Sequence, residues 1–188
     1  MALSEIEIIE GCKKADKRAQ QALFEKYSKR LLGICMRYCQ SKDEAEDVLQ
    51  DGLVKIFFNI NQYKGDGSFE GWMKRIIVNT ALNNYKSNLK RYYHSDLEDA
   101  ASEIVSEVNL NDIFEVKDLL NIIQSLPTGY RMVFNMYAIE GYNHKEIGEL
   151  LNISEGTSKS QLSRARQLLQ QKVAELQGEK VAICEINK

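Results

Sequence analysis

Apolar residues recur at intervals of three and four along most of the chain, the spacing that lines one face of an α-helix. No stretch alternates apolar and polar residues over a strand's length. The pattern predicts an all-α protein. A first helix is expected over residues 17–39, with Leu23, Phe24, Tyr27, Leu31, Ile34, Cys35 and Tyr38 facing inward. Ser41-Lys42-Asp43 supplies a turn and a cap. A second helix is expected over 44–60, with Ala45, Val48, Leu49, Leu53, Ile56, Phe57 and Ile60 as its apolar stripe. Lys64-Gly65-Asp66-Gly67-Ser68 reads as a loop. A third helix follows over 69–89, burying Phe69, Trp72, Met73, Ile76, Ile77, Thr80, Ala81 and Tyr85.

Beyond residue 112 the helical period resumes. A helix is expected over 113–124, and Pro127 suits a helix start, where its missing N–H removes no bond. The next helix runs to about residue 140 with Val133, Phe134, Tyr137 and Ala138 inward, and Gly141 ends it. Asn143 caps a short helix bearing Ile147, Leu150 and Leu151. Asn152-Ile153-Ser154 is a tight turn with Ile153 as a plug. On the helix that follows, Ser158, Leu162, Ala165 and Leu169 share one inward stripe. Residues 143–169 therefore read as a helix-turn-helix. Ser158 is out of place, because a β-branched apolar residue would pack better there.

Charge sharpens the division. The net charge of −2 is ordinary for 188 residues, but its distribution is not. Residues 1–92 carry 16 Lys and Arg against 12 Asp and Glu, whereas 93–113 carry six acids and no base. This acidic, apolar-poor segment reads as a flexible linker. The predicted layout is a helical domain over 1–92, a linker over 93–112, a second helical domain over 113–175 and a tail over 176–188. For the tail, fraying and docking both stay open. The start of the chain lacks a basic segment followed by an apolar one, and no apolar run approaches a membrane span. A cytoplasmic protein with no membrane insertion is expected. Of the four cysteines, Cys35 and Cys39 lie one helical turn apart, but no partner of zinc-site spacing accompanies them. They are read as small buried hydrophobes, and no metal or cofactor is expected.

Three polar faces carry candidate chemistry. On the last helix, Lys159, Ser160, Ser163, Arg164, Arg166 and Gln167 lie opposite the apolar stripe. Short donors and long cations suit phosphates and base edges in a major groove. On the third helix, Arg75, Asn79, Asn83, Lys86 and Lys90 fall within roughly 80° of arc. Basic residues there can track phosphates, and asparagines can bond unpaired base edges. Tyr63 and Phe69, beside the loop, could stack on a base. The second helix presents Asp43, Glu44, Glu46, Asp47, Gln50 and Asp51, with Asp47, Gln50 and Asp51 on one side. That acidic face would repel DNA and suit a basic protein surface. No nucleophile–base pair, metal cluster or phosphate loop stands out, so no enzyme is expected.

Taken in this order, the faces resemble those of bacterial sigma factors of the sigma-70 family, specifically the small two-domain extracytoplasmic function (ECF) group. Asp47-Val48-Leu49-Gln50-Asp51 is similar to the family's polymerase-docking motif, with Asp51 where Glu is usual. Phe69-Glu70-Gly71-Trp72-Met73-Lys74-Arg75-Ile76-Ile77-Val78-Asn79 is similar to the segment ahead of its −10-reading helix. Leu126-Pro127, Tyr130-Arg131, Glu146-Ile147, Gly156-Thr157 and Ser163-Arg164-Ala165-Arg166 resemble its −35-reading region. The resemblance implies core RNA polymerase and promoter DNA as partners and admits an anti-sigma protein. It implies that Asp47, Gln50 and Asp51 contact the clamp helices of the polymerase largest subunit. Asn79 and Asn83, with the 63–69 loop, would capture a flipped −10 base. Lys159, Ser160, Ser163, Arg164 and Arg166 would enter the −35 major groove. Ser158 stands where valine is usual, and Gln161 where many members have a base, so promoter sequence does not transfer. Docking on polymerase is expected to separate the two domains and expose both reading faces. Two other classes stay open: a stand-alone helix-turn-helix regulator of duplex operator DNA, and a helical interaction module that never touches DNA.

Overall fold

The computed structural model describes residues 3–94 and 116–186, with side chains placed over 3–89 and 118–176. All regular structure among these residues is helical. Helix α1 spans Glu5–Lys13, α2 Lys17–Tyr38, α3 Lys42–Asn59 and α4 Phe69–His94, with a short 3₁₀ turn Ile60–Gln62 after α3. Then come α5 Val116–Gln124, α6 Thr128–Phe134, a π-helical turn Asn135–Ile139, α7 His144–Leu151 and α8 Glu155–Ile186.

Local caps set most of the starts. Ser41 accepts from the Glu44 amide at the head of α3, as its sequence suggests. Asp16 accepts from the amides of Arg18 and Ala19 at the head of α2. Helix α1 lies outside the sequence expectation although its signal is present. Ser4 and Glu7 form a reciprocal capping box, and Ile8, Ile9 and Cys12 turn inward behind it. The Tyr27 hydroxyl donates to Glu5 and ties α1 to α2.

Helices α1–α4 enclose one bundle, in which Leu23, Leu31, Cys35, Ala45, Ile56, Met73 and Ile77 are buried. Arg30 pairs with Glu70 at 2.9 Å across α2 and α4. The expected stripes hold with two adjustments. Phe24 is exposed, because the buried face of α2 is narrow and runs through Ala19, Leu23 and Tyr27. Helix α4 packs against α2, α3 and α7, and its buried face widens to include Val78 and Leu82.

Helices α5–α8 form the second bundle, with Met132, Val133, Ile147, Leu162 and Ala165 buried. Here the expected face of the 128–140 segment holds at Val133 and Phe134 and is overturned beyond them. Tyr137 and Ala138 are exposed, while Arg131, Asn135 and Met136 are inward. For the residues from Asn135 onward the cause is the π turn. The Glu140 amide bonds back to the Asn135 carbonyl, five residues earlier, and one extra residue per turn rotates everything beyond it. Gly141 closes the segment at φ 80, a conformation that favours glycine.

The two bundles are packed together, and most of their buried apolar residues form a single contiguous cluster. Of the expected linker, residues 93 and 94 continue α4 and the remainder lies outside the described residues. The expected tail at 176–188 starts inside α8, which runs on to Ile186, so no helix end marks that boundary.

Candidate functional site

The helix-turn-helix is built from local signals. Asn143 caps α7, accepting from the Glu146 amide at 2.9 Å while Glu146 accepts from the Asn143 amide at 2.8 Å. Asn152 ends α7 in the left-handed conformation at φ 57, a role asparagine tolerates better than most residues. The two helices meet closely: a Cβ added at Gly148 would lie 2.8 Å from the Ile153 carbonyl oxygen. Ser154 accepts from the Thr157 amide and opens α8.

Ser158 is fully buried, and its hydroxyl lies 2.9 Å from His144 Nδ1. The slot expected to suit a β-branched apolar residue is thus a polar pair between the two helices. The His144 ring stacks on Tyr137 at 4.5 Å, and the Arg166 guanidinium lies 5.7 Å above that same Tyr137 ring. The chain of contacts from Ser158 therefore ends on a candidate DNA-reading cation.

Lys159, Ser160, Ser163, Arg164 and Arg166 are all exposed on one side of α8. Lys159 is held against Glu155 at 2.6 Å, which lowers the Glu155 carboxyl below its ordinary range. Arg164 Nη1 donates to the Tyr130 hydroxyl at 3.3 Å, so α6 helps to orient this cation. Tyr130, Arg164, Gln167, Leu168 and Gln171 line a shallow cleft of about 270 Å³ between the helices.

On α4, Arg75, Asn79 and Asn83 are exposed along one stripe and Lys86 is half-buried below them. The side chain of Lys90 lies outside the described residues. Phe69 does not belong to this surface. It is 1% exposed and packs edge-on to Tyr27 and near-parallel to Trp72. Its position at the head of α4 turns it into the bundle, so it supports the loop and cannot stack on a base. Tyr63 is half-buried against Phe69 and Trp72, and its hydroxyl donates to the Gly67 carbonyl. It closes the 63–69 loop and keeps part of its ring at the surface. Asn84, next in sequence to Asn83, points elsewhere and joins two helices. It donates to Glu44 at 2.7 Å, accompanied by Asn88 at 3.3 Å.

Asp47, Gln50 and Asp51 are exposed together on α3. Glu44 leaves that acidic face, because Asn84, Asn88 and the Gln40 amide hold it against α4. Among the described residues the cysteines behave as expected of small buried hydrophobes: Cys12, Cys35 and Cys39 are free and buried. Burial pushes the Cys35 thiol up to about 12 and the Cys12 thiol up to about 11.

A polar seam between the bundles has no signal in the sequence. The Glu140 carboxylate, its side chain 7% exposed, meets Arg37 at 3.2 Å and Lys74 at 2.8 Å. Asn135 Nδ2 donates to the Arg37 carbonyl, Gln124 Nε2 to the Met36 carbonyl, and Gln40 Nε2 to the Thr128 hydroxyl. Arg131 is 1% exposed and donates to the Gln124 carbonyl at 2.7 Å; burial lowers its proton affinity. Arg37 Nε, Tyr38 Oη, Arg131 Nε and Nη2, and Asn135 Oδ1 are buried without a protein partner, and all five lie at this seam. No group of His, Cys, Asp and Glu among the described residues could hold a metal ion. No described helix is long and apolar enough to cross a membrane.

Two family models match the chain, Sigma-70 region 2 over residues 23–91 and Sigma-70 region 4 over residues 117–169. Among curated proteins, the RNA polymerase sigma-H factor of Pseudomonas aeruginosa is 28% identical over 87% of this chain and 90% of its own length. The ECF RNA polymerase sigma-E factor of Escherichia coli is 29% identical over 90% of this chain and 94% of its own. Among solved structures, the sigma factor RpoE in complex with the anti-sigma factor NepR from Bartonella quintana aligns with a TM-score of 0.53. That alignment has 20% identity over 84% of this chain and 98% of the other.

Proposed function

Because the chain belongs to the sigma-70 family, within its ECF group, and directs core RNA polymerase to promoters, we propose the residues by which it does so. Asp47, Gln50 and Asp51 dock the polymerase largest subunit. Arg75, Asn79, Asn83, Lys86 and Lys90 follow the non-template strand at the −10 element, with Tyr63 at the edge of the base-capturing loop. Lys159, Ser160, Ser163, Arg164 and Arg166 enter the −35 major groove. The observation that carries this assignment is the exposure of three chemically distinct faces on three different helices of one chain. A stand-alone operator binder has no use for the acidic face on α3.

The protein works as a dissociable subunit and performs no chemistry itself. It acts in the cytoplasm, where polymerase and promoter DNA meet. An anti-sigma protein is a further candidate partner. Melting is driven by trapping unstacked bases, which offsets part of the few kcal/mol that extrusion costs.

The packed bundles add a conformational step. Arg75, Asn79 and Asn83 on α4 and the five candidate side chains on α8 are already exposed in this arrangement, so burial does not silence them. What the seam fixes is their relative placement. Docking on polymerase separates the bundles, and the buried polar atoms of Arg37, Tyr38, Arg131 and Asn135 gain access to water when it does. Run-off transcription with core polymerase tests the whole reading. Promoter-dependent transcripts are expected with the parent chain and none with Asp47→Arg, whose fold should be unchanged because the site is exposed. Polymerase binding that survives Asp47→Arg would refute the docking assignment.

A further inference from the structure

The outward face of α3 does not end at its acids. At 100° per residue, positions 43, 47, 50, 51, 54 and 58 fall within roughly 100° of arc, opposite Ala45, Val48, Leu49, Gly52 and Ile56. Asp43, Asp47 and Asp51 occupy the N-terminal half of this stripe and form no ion pair among the described residues. Val54 and Phe58 occupy the C-terminal half and are 51% and 82% exposed. Phe58 is thus a whole aromatic side chain held in water. It is not a loosely packed core residue, because the buried stripe lies on the other side of the helix. From Asp47 to Phe58 the stripe measures about 16 Å along the axis.

We propose that this chain docks polymerase through a two-part stripe, acidic at Asp47–Asp51 and apolar at Val54–Phe58. The occupant is a single helical element of core polymerase that lies along α3. It carries basic residues opposite the acids and an apolar pocket opposite Phe58. The inference rests on the reading of α3 as the polymerase-docking helix and names the part of that contact which the acidic motif leaves out. Continuity argues for one occupant: the acidic and apolar halves share a face, are contiguous along the axis, and are exposed throughout. Charge complementarity argues for a basic partner. The two halves have separable roles. Exposed charges chiefly steer encounter and set its salt dependence. A buried aromatic anchor inside a polar rim chiefly sets the rate of dissociation.

Binding of the purified chain to core RNA polymerase, followed in real time at several salt concentrations, separates these roles. Phe58→Ala should dissociate at least tenfold faster, with association and the salt slope little changed. Phe58→Leu, which keeps most of the apolar area, should recover most of the affinity. Asp47→Asn, which removes one charge and keeps the volume, should slow association and flatten the salt slope. Thermal melts of the free variants should match the parent, since Phe58 supports no core contact. Phe58→Ala binding within twofold of the parent would overturn the proposal. If Asp47→Arg still abolished binding in that case, the docking reading would stand without the apolar half. If neither change mattered, the docking reading itself would fall. Sedimentation of the free chain covers one more outcome: a dimer dispersed by Phe58→Ala with polymerase affinity unchanged marks the patch as a self-contact and also overturns the proposal.

Discussion

Glu140→Ala tests whether the seam between the bundles is held by charge. The carboxylate is almost buried and serves two cations at 3.2 and 2.8 Å. Removing one partner of a buried pair leaves the other charge uncompensated, which costs about 3–5 kcal/mol when burial is complete. Burial here is incomplete. The Arg37 side chain is 23% exposed and that of Lys74 is 37% exposed, so the Lys74 contribution is largely screened. About 2–3 kcal/mol is therefore the reasonable loss, equivalent to roughly a 30- to 160-fold shift toward separated bundles. Neither bundle should unfold, because their cores lie away from this carboxylate. Small-angle X-ray scattering on the free chain should show a larger radius of gyration. Hydrogen exchange should quicken at the seam, over 36–39 and 131–135, and remain slow around Leu49 and Ile56. Glu140→Gln, which keeps the volume and loses the charge, should behave similarly. An unchanged radius with unchanged exchange would show that the seam holds without this charge, through its apolar contacts and the hydrogen bonds of Asn135, Gln124 and Gln40.

Further outcomes follow from single contacts. Gly148→Ala would place a methyl group 2.8 Å from the Ile153 carbonyl; the helix-favouring effect of alanine should be outweighed, with a loss of about 1–2 kcal/mol in denaturant melts and weaker binding to −35 duplex. A double-mutant cycle of His144→Ala and Ser158→Ala should return a coupling of about 1 kcal/mol, since Ser158 is buried and hydrogen-bonded to the half-buried His144; additive losses would mean that the contact contributes nothing. Folded Cys12 and Cys35 hold their protons up to about 11 and 12, above the ordinary 9.0. Their contribution to stability is thus complete below about pH 9 and lost as pH rises toward 11–12, so urea midpoints should fall across that range and Cys35→Ala should flatten the fall.

Much of this protein is readable from spacing alone. The helical period gives the all-α class, and the helix-turn-helix is legible because its signals are short-range: Asn143 with Glu146, the Asn152 turn, and the i, i+3, i+4 stripes of α8. The three candidate faces are legible for the same reason, since a helix shows its outward residues by phase. The capping box at Ser4 and Glu7 is equally local and marks α1, though it stands outside the apolar stripes on which the helix assignments rest.

Packing between helices settles the rest. Phase within a helix cannot say that Phe69 turns inward to an aromatic cluster while Tyr63 stays at the edge. It also cannot say that Glu44 and Asn84 satisfy each other across two helices. The π turn at Asn135–Ile139 is a one-residue shift with no composition signal, yet it exchanges Tyr137 and Ala138 for Asn135 and Met136 in the core. Ser158 is out of place as a lone residue and fits as half of a pair with His144, 14 positions away. The seam of Arg37, Lys74 and Glu140 joins residues up to 103 positions apart. Periodicity and capping act within a few residues, so the chain alone specifies where helices form and which face of each is polar. Whether a polar group then meets solvent or another polar group depends on what its helix packs against, and that is a property of the folded molecule.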